Sequence, residues 1–257
     1  MKGAIIGDVV GSVYEFNNTF DYNFPLLTEG STFTDDTICT VAIADALLNN
    51  KNYAQTLKEW CRKFPNPEGG YGIFFNQWVW NDDLSVTNNS CGNGALMRIS
   101  PIALYRQIST PMVYKNGHDA TICSHKHPEA ISAILVYLRI IRSLLRTKDK
   151  RNVNAIMADA YTSQWNRTLP QQGTFVDTCA DSLKIVSHLF LESESFEDAI
   201  RLAVIYGGDT DTIGAIMGGM AEAYYGVDEK LWEMVKPRLP GEFIEVINQY
   251  YDIMCNL

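Results

Sequence analysis

No stretch of this chain alternates apolar and polar residues with the period of two that a half-buried strand needs, and no Asn-Gly turn joins two such runs. Apolar residues recur instead at helical spacing. Ile38, Val41, Ala42, Ala46 and Leu48 fit one face, which Asn49-Asn50-Lys51-Asn52 ends. Tyr53, Leu57, Trp60, Cys61 and Phe64 fit the next. Pro128, preorganised for a first turn, opens a long helix with Ile131, Ile134, Leu135, Leu138, Ile141 and Leu145. Leu183, Val186 and Phe190 mark another. Ser195-Phe196-Glu197-Asp198 reads as a capping box before Ile200, Ala203 and Val204. Phe243, Val246, Ile247 and Tyr250 form a last apolar face. The pattern predicts an all-α fold, one compact helical domain over residues 1–257, with 46 % hydrophobic residues to fill its core. Phe64 to Ser90, rich in Gly, Pro, Asn and aromatics, is expected as a long ordered loop, and such loops are usually functional.

Charge and signals narrow the functional classes. Asp and Glu number 30 against 21 Lys and Arg, a formal net charge of −9. That balance offers no basic stripe for duplex nucleic acid. No apolar run is long enough to span a bilayer, and Asp8 interrupts the short run after Met1 before it reaches the length of an export signal. The six scattered cysteines contain no C-x-x-C and read as reduced thiols. A cytoplasmic protein with no membrane partner is therefore expected.

Two acidic clusters interrupt the helical pattern: Thr34-Asp35-Asp36-Thr37 and Gly207-Gly208-Asp209-Thr210-Asp211-Thr212, each at a helix start. Plain N-capping accounts for the first as well as a metal site does. It accounts poorly for the second, where one cap explains one aspartate but not two with two threonines and a Gly-Gly pair. Four carboxylates brought together repel unless a cation neutralises them. Oxygen donors without nearby Cys or His suit Mg²⁺, Mn²⁺ or Ca²⁺, and two such clusters can hold a pair of ions roughly 3.5–4 Å apart.

Other stretches carry weaker signals. Gly3, Gly7 and Gly11 form one small helix face, and Gly214, Ala215, Gly218 and Gly219 make a second helix fit for close packing. Asp8, within the first helix, reads as a solvated acid more readily than as a carboxylate delivered to the site, and Glu15 is expected at that helix's end. Gly92-Asn93-Gly94 can turn backbone N–H groups toward an anion, or can be a tight turn before a helix that Pro101 disturbs. Arg98 can pair with a phosphate or an internal carboxylate. His125 and His127 read first as loop or capping residues.

Together the motifs resemble the ADP-ribosylglycohydrolase family. The matching stretches are Gly3–Gly11 with Glu15; Phe33-Thr34-Asp35-Asp36-Thr37; Gly92–Arg98; Ser124-His125 with the helix beyond Pro128; and Gly207–Ile213, in the family order. The resemblance implies an all-α fold with two Mg²⁺ or Mn²⁺ ions in a cleft. It implies Thr34, Asp35, Asp36, Asp209, Asp211 and Thr212 as ligands, and Glu15 and Asp36 as catalytic carboxylates. Asn93, Gly94, Met97, His125 and Gly208 would lie against the substrate. The implied reaction is hydrolysis at C1″ of an ADP-ribosyl group on a protein side chain or small conjugate. Hydrolysis of another ribosyl or nucleotide-sugar metabolite, and a non-catalytic relative of the crystallin kind, are the alternatives; intact acidic clusters argue against the latter. Asp82 or Asp83 can stand for a separate catalytic aspartate. Tyr71, Phe74, Trp78 and Trp80 can stack an adenine or pack the loop.

Overall fold

The computed structural model describes residues 1–162, 165 and 169–255. Along the chain run α1 (Lys2–Gly11), α2 (Asp35–Leu48), α3 (Tyr53–Lys63), α4 (Ile73–Val79), α5 (Ser100–Leu104), α6 (Thr110–Ile122) and α7 (Pro128–Thr147). Then come α8 (Arg151–Tyr161), α9 (Cys179–Glu192), α10 (Phe196–Tyr206), α11 (Thr210–Tyr225), α12 (Glu229–Val235) and α13 (Gly241–Cys255). Among the described residues the only β pairings are two isolated bridges, Thr34 with Glu68 and Gly92 with Thr178. The all-α expectation holds. No helix among the described residues is long and apolar enough to cross a membrane.

The chain marks its own helix starts. Thr34, Asn52, Thr178, Ser195 and Asp228 cap α2, α3, α9, α10 and α12, each accepting a first-turn backbone N–H. Pro101 does not disturb a helix; it sits in the first turn of α5, where a missing N–H costs nothing. The segment Phe64 to Ser90 is not all loop, because Ile73–Val79 forms α4 and buries Phe75, Trp78 and Val79. Its aromatic run hid a helix too short to show periodicity. Asn116-Gly117 lies inside α6, where Gly117 faces Leu138 of α7: a Cβ there would stand 2.3 Å from Leu138 Cδ1.

Helices α1 and α11, from opposite ends of the chain, form the centre. Both are buried nearly all round, Gly3–Gly11 and Thr210–Ala223, so neither shows the one-sided pattern of a surface helix. They run antiparallel with backbones in contact, Gly3 on Gly218, Gly7 on Gly214 and Gly11 on Thr210. A Cβ at Gly7 would stand 1.9 Å from Gly214 O, and one at Gly218 would stand 1.9 Å from Gly3 O. The Thr210 hydroxyl donates to Gly11 O at 2.8 Å, and the Glu222 carboxylate accepts the Gly3 N–H at 2.8 Å, closing both ends of the contact. Around this pair, α2, α5, α7, α9 and α10 pack against α11.

Replacing Gly7 by Ala is expected to force the two central helices apart and to cost about 3 kcal/mol or more, as overpacking against rigid backbone does. Chemical denaturation of Gly7→Ala beside Gly241→Ala, whose Cβ would meet nothing within 4 Å, checks this. Equal losses in both variants would contradict it.

Candidate active site

The close approach of α1 and α11 places Asp8 under the N-terminus of α2. Asp8 is fully buried, and not a solvated acid. Its Oδ2 accepts the N–H groups of Thr34 at 3.1 Å and Thr37 at 3.0 Å, together with the Thr37 hydroxyl. Its Oδ1 accepts the Thr34 hydroxyl at 2.9 Å. A carboxylate from one helix thus caps another and fixes the first acidic cluster. Thr34 is buried behind that cluster with its hydroxyl proton committed to Asp8.

The second cluster is presented by a turn. Gly207 and Gly208 have φ of +78° and +76°, a backbone state that glycine adopts without strain. They swing the chain from α10 into Asp209, the residue before α11. Gly208 stands behind the cavity rather than in its lining: its N–H donates to Asn18 Oδ1 at 2.8 Å, and a Cβ would collide with Thr174 O at 2.4 Å. Asn18 also donates to Tyr14 O at 2.6 Å and Glu15 O at 3.1 Å, tying the turn that carries Glu15 to this loop. Glu15 therefore lies four residues past the end of α1, in a turn and not at the helix end.

These elements enclose a cavity of about 550 Å³. Glu15, Asp35, Asp209, Asp211 and Thr212 line it from the acidic side, and Asn93, Gly94, Met97, Arg98 and His125 from the other. Glu15, Asp209 and Asp211 each bring a carboxylate oxygen within 4.8 Å of the others. Asp36 lies beneath, with Oδ2 accepting the Thr212 hydroxyl at 3.2 Å. Its Oδ1, like Asp211 Oδ1, is buried without a hydrogen-bond partner. Unpaired buried carboxylate oxygens are costly unless a cation satisfies them, and an all-oxygen donor set fits a hard divalent ion.

Among the described residues, no ion pair reaches these carboxylates. Burial and the Asp211 carboxylate push Asp8 up to about 7. Burial, with Asp211, Asp8 and Glu68, pushes Glu15 up to about 8. Burial, with Asp211 in each case and Cys39 beside Asp35, holds Asp35, Asp36 and Asp209 well above the carboxylate range.

On the opposite wall the Gly92-Asn93-Gly94 backbone does not offer all its N–H groups to a ligand. Gly92 N–H donates to Ser90 Oγ at 3.0 Å, and Asn93 N–H to Asp177 O at 2.7 Å. The Asn93 side chain instead donates to Asp209 Oδ2 at 2.6 Å, orienting a carboxylate of the second cluster. Arg98 is buried, and the arginine ion pairs among the described residues belong to Arg62, Arg139, Arg151 and Arg201. Its Nη2 donates to Ser124 Oγ at 2.6 Å, its Nε has no partner, and its guanidinium lies 5.3 Å from the Phe75 ring centroid. Ser124 Oγ, accepting from Arg98, also lies 2.9 Å from His125 Nδ1; with the hydroxyl as donor, that ring nitrogen is the acceptor. His125 then carries its proton on Nε2, which faces Gly92 and Gly94. Burial and the Arg98 cation hold its pKa well below the usual imidazole value, so the ring is a neutral donor.

The remaining sequence candidates separate cleanly. His127 caps α7, accepting Glu129 N–H at 3.2 Å. Asp82 is 91 % exposed and pairs with Arg62, and Asp83 accepts from Ser85; neither lines the cavity. Tyr71 and Phe74 line it, whereas Trp78 is buried with Nε1 on Val86 O, and Trp80 lies under Arg62. Sequence reasoning missed Asn18, Phe16, Phe175 and the glycines Gly69, Gly70 and Gly72 beside Tyr71. Gly69 packs so closely that a Cβ there would stand 2.9 Å from Glu15 Oε2. The one available signal was Gly69-Gly70, a pair with φ of +75° and +83° inside the expected functional loop.

The profile of the ADP-ribosylglycohydrolase family matches residues 1–254. The chain is 25 % identical over 286 residues to an ADP-ribosylarginine hydrolase of Pseudomonas putida, covering 96 % of this chain and 72 % of that protein. It is 24 % identical over 265 residues to the ADP-ribosyl-dinitrogen reductase glycohydrolase of Rhodospirillum rubrum, covering 88 % and 84 %. A solved structure described as an ADP-ribosylglycohydrolase-related protein complex superimposes with a TM-score of 0.76 at 24 % identity, over 97 % of this chain and 94 % of that one, a likeness of fold.

Two outcomes follow from the electrostatics. Carboxyls that titrate higher when folded stabilise the fold fully below about pH 4, and that stabilisation is lost as pH rises through about 7 and 8. In chelator, the thermal midpoint is expected to fall by at least about 5 °C between pH 5 and pH 9, and Mg²⁺ to remove most of the fall. A flat chelated profile by calorimetry would count against the buried cluster. For His125, side-chain ¹⁵N spectra should show the neutral Nε2–H tautomer across about pH 5–8, with a mixture of forms in Ser124→Ala. A protonated ring in that window in the wild type would contradict the Arg98–Ser124–His125 chain.

Proposed function

The chain belongs to the ADP-ribosylglycohydrolase family, and on that premise we propose that it is a metal-dependent hydrolase cleaving the C1″ glycosidic bond of an ADP-ribosyl group carried by a protein side chain or a small conjugate. The observation that carries this reading is the meeting of Glu15, Asp35, Asp209 and Asp211 on one wall of a ligand-sized cavity. The names of the two relatives support the substrate class.

Thr34, Asp35, Asp36, Asp209, Asp211 and Thr212 would hold two Mg²⁺ or Mn²⁺ ions. When bound, the ions neutralise the carboxylates and polarise oxygens of the substrate's distal ribose. The protein's own groups do the rest. Phe16, Phe74 and Phe175 line the cavity yet remain 77 %, 71 % and 55 % exposed, and so offer ring faces to an adenine. His125 Nε2–H and the turn at Gly94 face the diphosphate, with Met97 beside them. Gly208 supports the floor from behind, and Asn93 holds Asp209 in register. Glu15, half-buried beside Asp209 and Asp211, takes a proton from the attacking water as the C1″–O bond forms. It delivers that proton to the departing nitrogen or oxygen as the C1″ bond breaks. The acidic wall opposes the positive charge that develops on the ribose. Asp36 does not line the cavity, so its part is to hold an ion and not to touch the sugar.

The test is a release assay with ADP-ribosylated arginine and serine peptides, ADP-ribosylated nucleic-acid ends and O-acetyl-ADP-ribose, in Mg²⁺ or Mn²⁺. Turnover of at least one is expected. Glu15→Gln should lower kcat by roughly 10²–10⁴ while calorimetric Mg²⁺ binding persists, and Asp209→Ala should abolish the binding itself. Absence of release from all four by wild type with Mg²⁺ bound would sink the reading and favour a different ribosyl metabolite.

A further inference from the structure

A second and larger cavity, of about 700 Å³, opens between α6, the C-terminal half of α7 and the start of α8. It shares no lining residue with the acidic one. At about 1.5 Å per helical residue, Arg142 stands roughly 20 Å along α7 from the end that follows His125.

Its lining reverses the character of the molecule. In a chain of net charge −9, Arg106, Arg139, Arg142 and Arg146 converge on it, and no Asp or Glu lines it. Three of the four come from one helix at i, i+3 and i+7, and so share a face. Arg139 is paired at the rim with Asp159 at 2.6 Å, and Arg142 is steadied by Tyr105 O at 3.2 Å. Arg106 and Arg146 are exposed and have no ion pair among the described residues. The nearby Asp149 is taken up by Arg151. The N-terminus of α6 opens at the same place. Ser109, its N-cap, makes no side-chain cap bond, and Thr110 of its first turn lines the cavity. Guanidinium groups held together repel one another, whereas each can grip a phosphate through two parallel N–H bonds, and a helix N-terminus adds free N–H donors.

We propose that this cavity is a second binding site, taking a small molecule that carries a di- or triphosphate. Several separate positive groups around a concave, ligand-sized space match clustered phosphate oxygens. Leu145 and Ile156 give the rest of such a molecule an apolar surface. An acidic polypeptide would need a groove running on beyond the arginines.

Calorimetric titration of the full chain with inorganic tripolyphosphate, in chelator at about 0.15 M salt, tests this. One saturable site is expected, unchanged in Asp209→Ala and weakened at least about tenfold in Arg106→Ala/Arg146→Ala. The double variant should keep the wild-type thermal midpoint, since both side chains are exposed. The charge-retaining Arg106→Lys/Arg146→Lys should fall between the two. No saturable binding, equal binding by the folded alanine variant, or loss in Asp209→Ala would each overturn the proposal. So would tighter binding of oligoglutamate than of tripolyphosphate, which would assign the surface to acidic polypeptides.

Discussion

The contact on which the structure turns is the one between two backbones. Helices α1 and α11 meet through Gly3, Gly7 and Gly11 against Gly218, Gly214 and Thr210, close enough that no side chain fits between them. Without that proximity Asp8 would not reach the first turn of α2, and Asp209 and Asp211 would not face Glu15. Small residues here do positional work: each missing Cβ shortens the distance between elements that carry charge. The site is thus an outcome of helix packing, with its loops added on top.

The packing creates an electrostatic problem that the protein leaves open. Asp8 satisfies its oxygens with the N–H and hydroxyl groups of Thr34 and Thr37. Asp36 and Asp211 each keep an oxygen unpaired in the interior. One carboxylate is fully hydrogen-bonded and the others are not, although all share the same residue type. Arg98, buried and in no ion pair among the described residues, lines the same cavity as the carboxylates. A ligand with both hydroxyls and phosphates can satisfy both walls.

Much of this was legible in the sequence. Period and capping gave the fold class, and the two acid–threonine clusters pointed to Asp35, Asp209, Asp211 and Thr212 of the cavity lining. The rest was hidden for definable reasons. Asp8 reads as solvated because a sequence does not reveal which acid meets the N–H groups of a helix far away in the chain. Helix α4 is too short for periodicity to register. Gly208 and Asp36 carry the right motif but sit behind the cavity, a distinction of a few ångströms that spacing does not encode. Asn18 has no motif at all; its four bonds, to Tyr14, Glu15 and Gly208, become visible only when the turn after α1 meets the Gly207-Gly208 loop.

The hydrogen bond from Thr212 to Asp36 joins residues 176 positions apart, and that from Thr210 to Gly11 joins residues 199 apart. Such long-range closures come late in folding, since chain entropy must be lost before they form. On a ribosome emitting the chain from its N-terminus, α1 and the first acidic cluster emerge long before their partners exist. The nascent protein therefore spends most of its synthesis with a glycine-lined apolar helix uncovered and no competent site. Both conditions end together when α11 docks, so the chain completes its site and covers that helix in a single event.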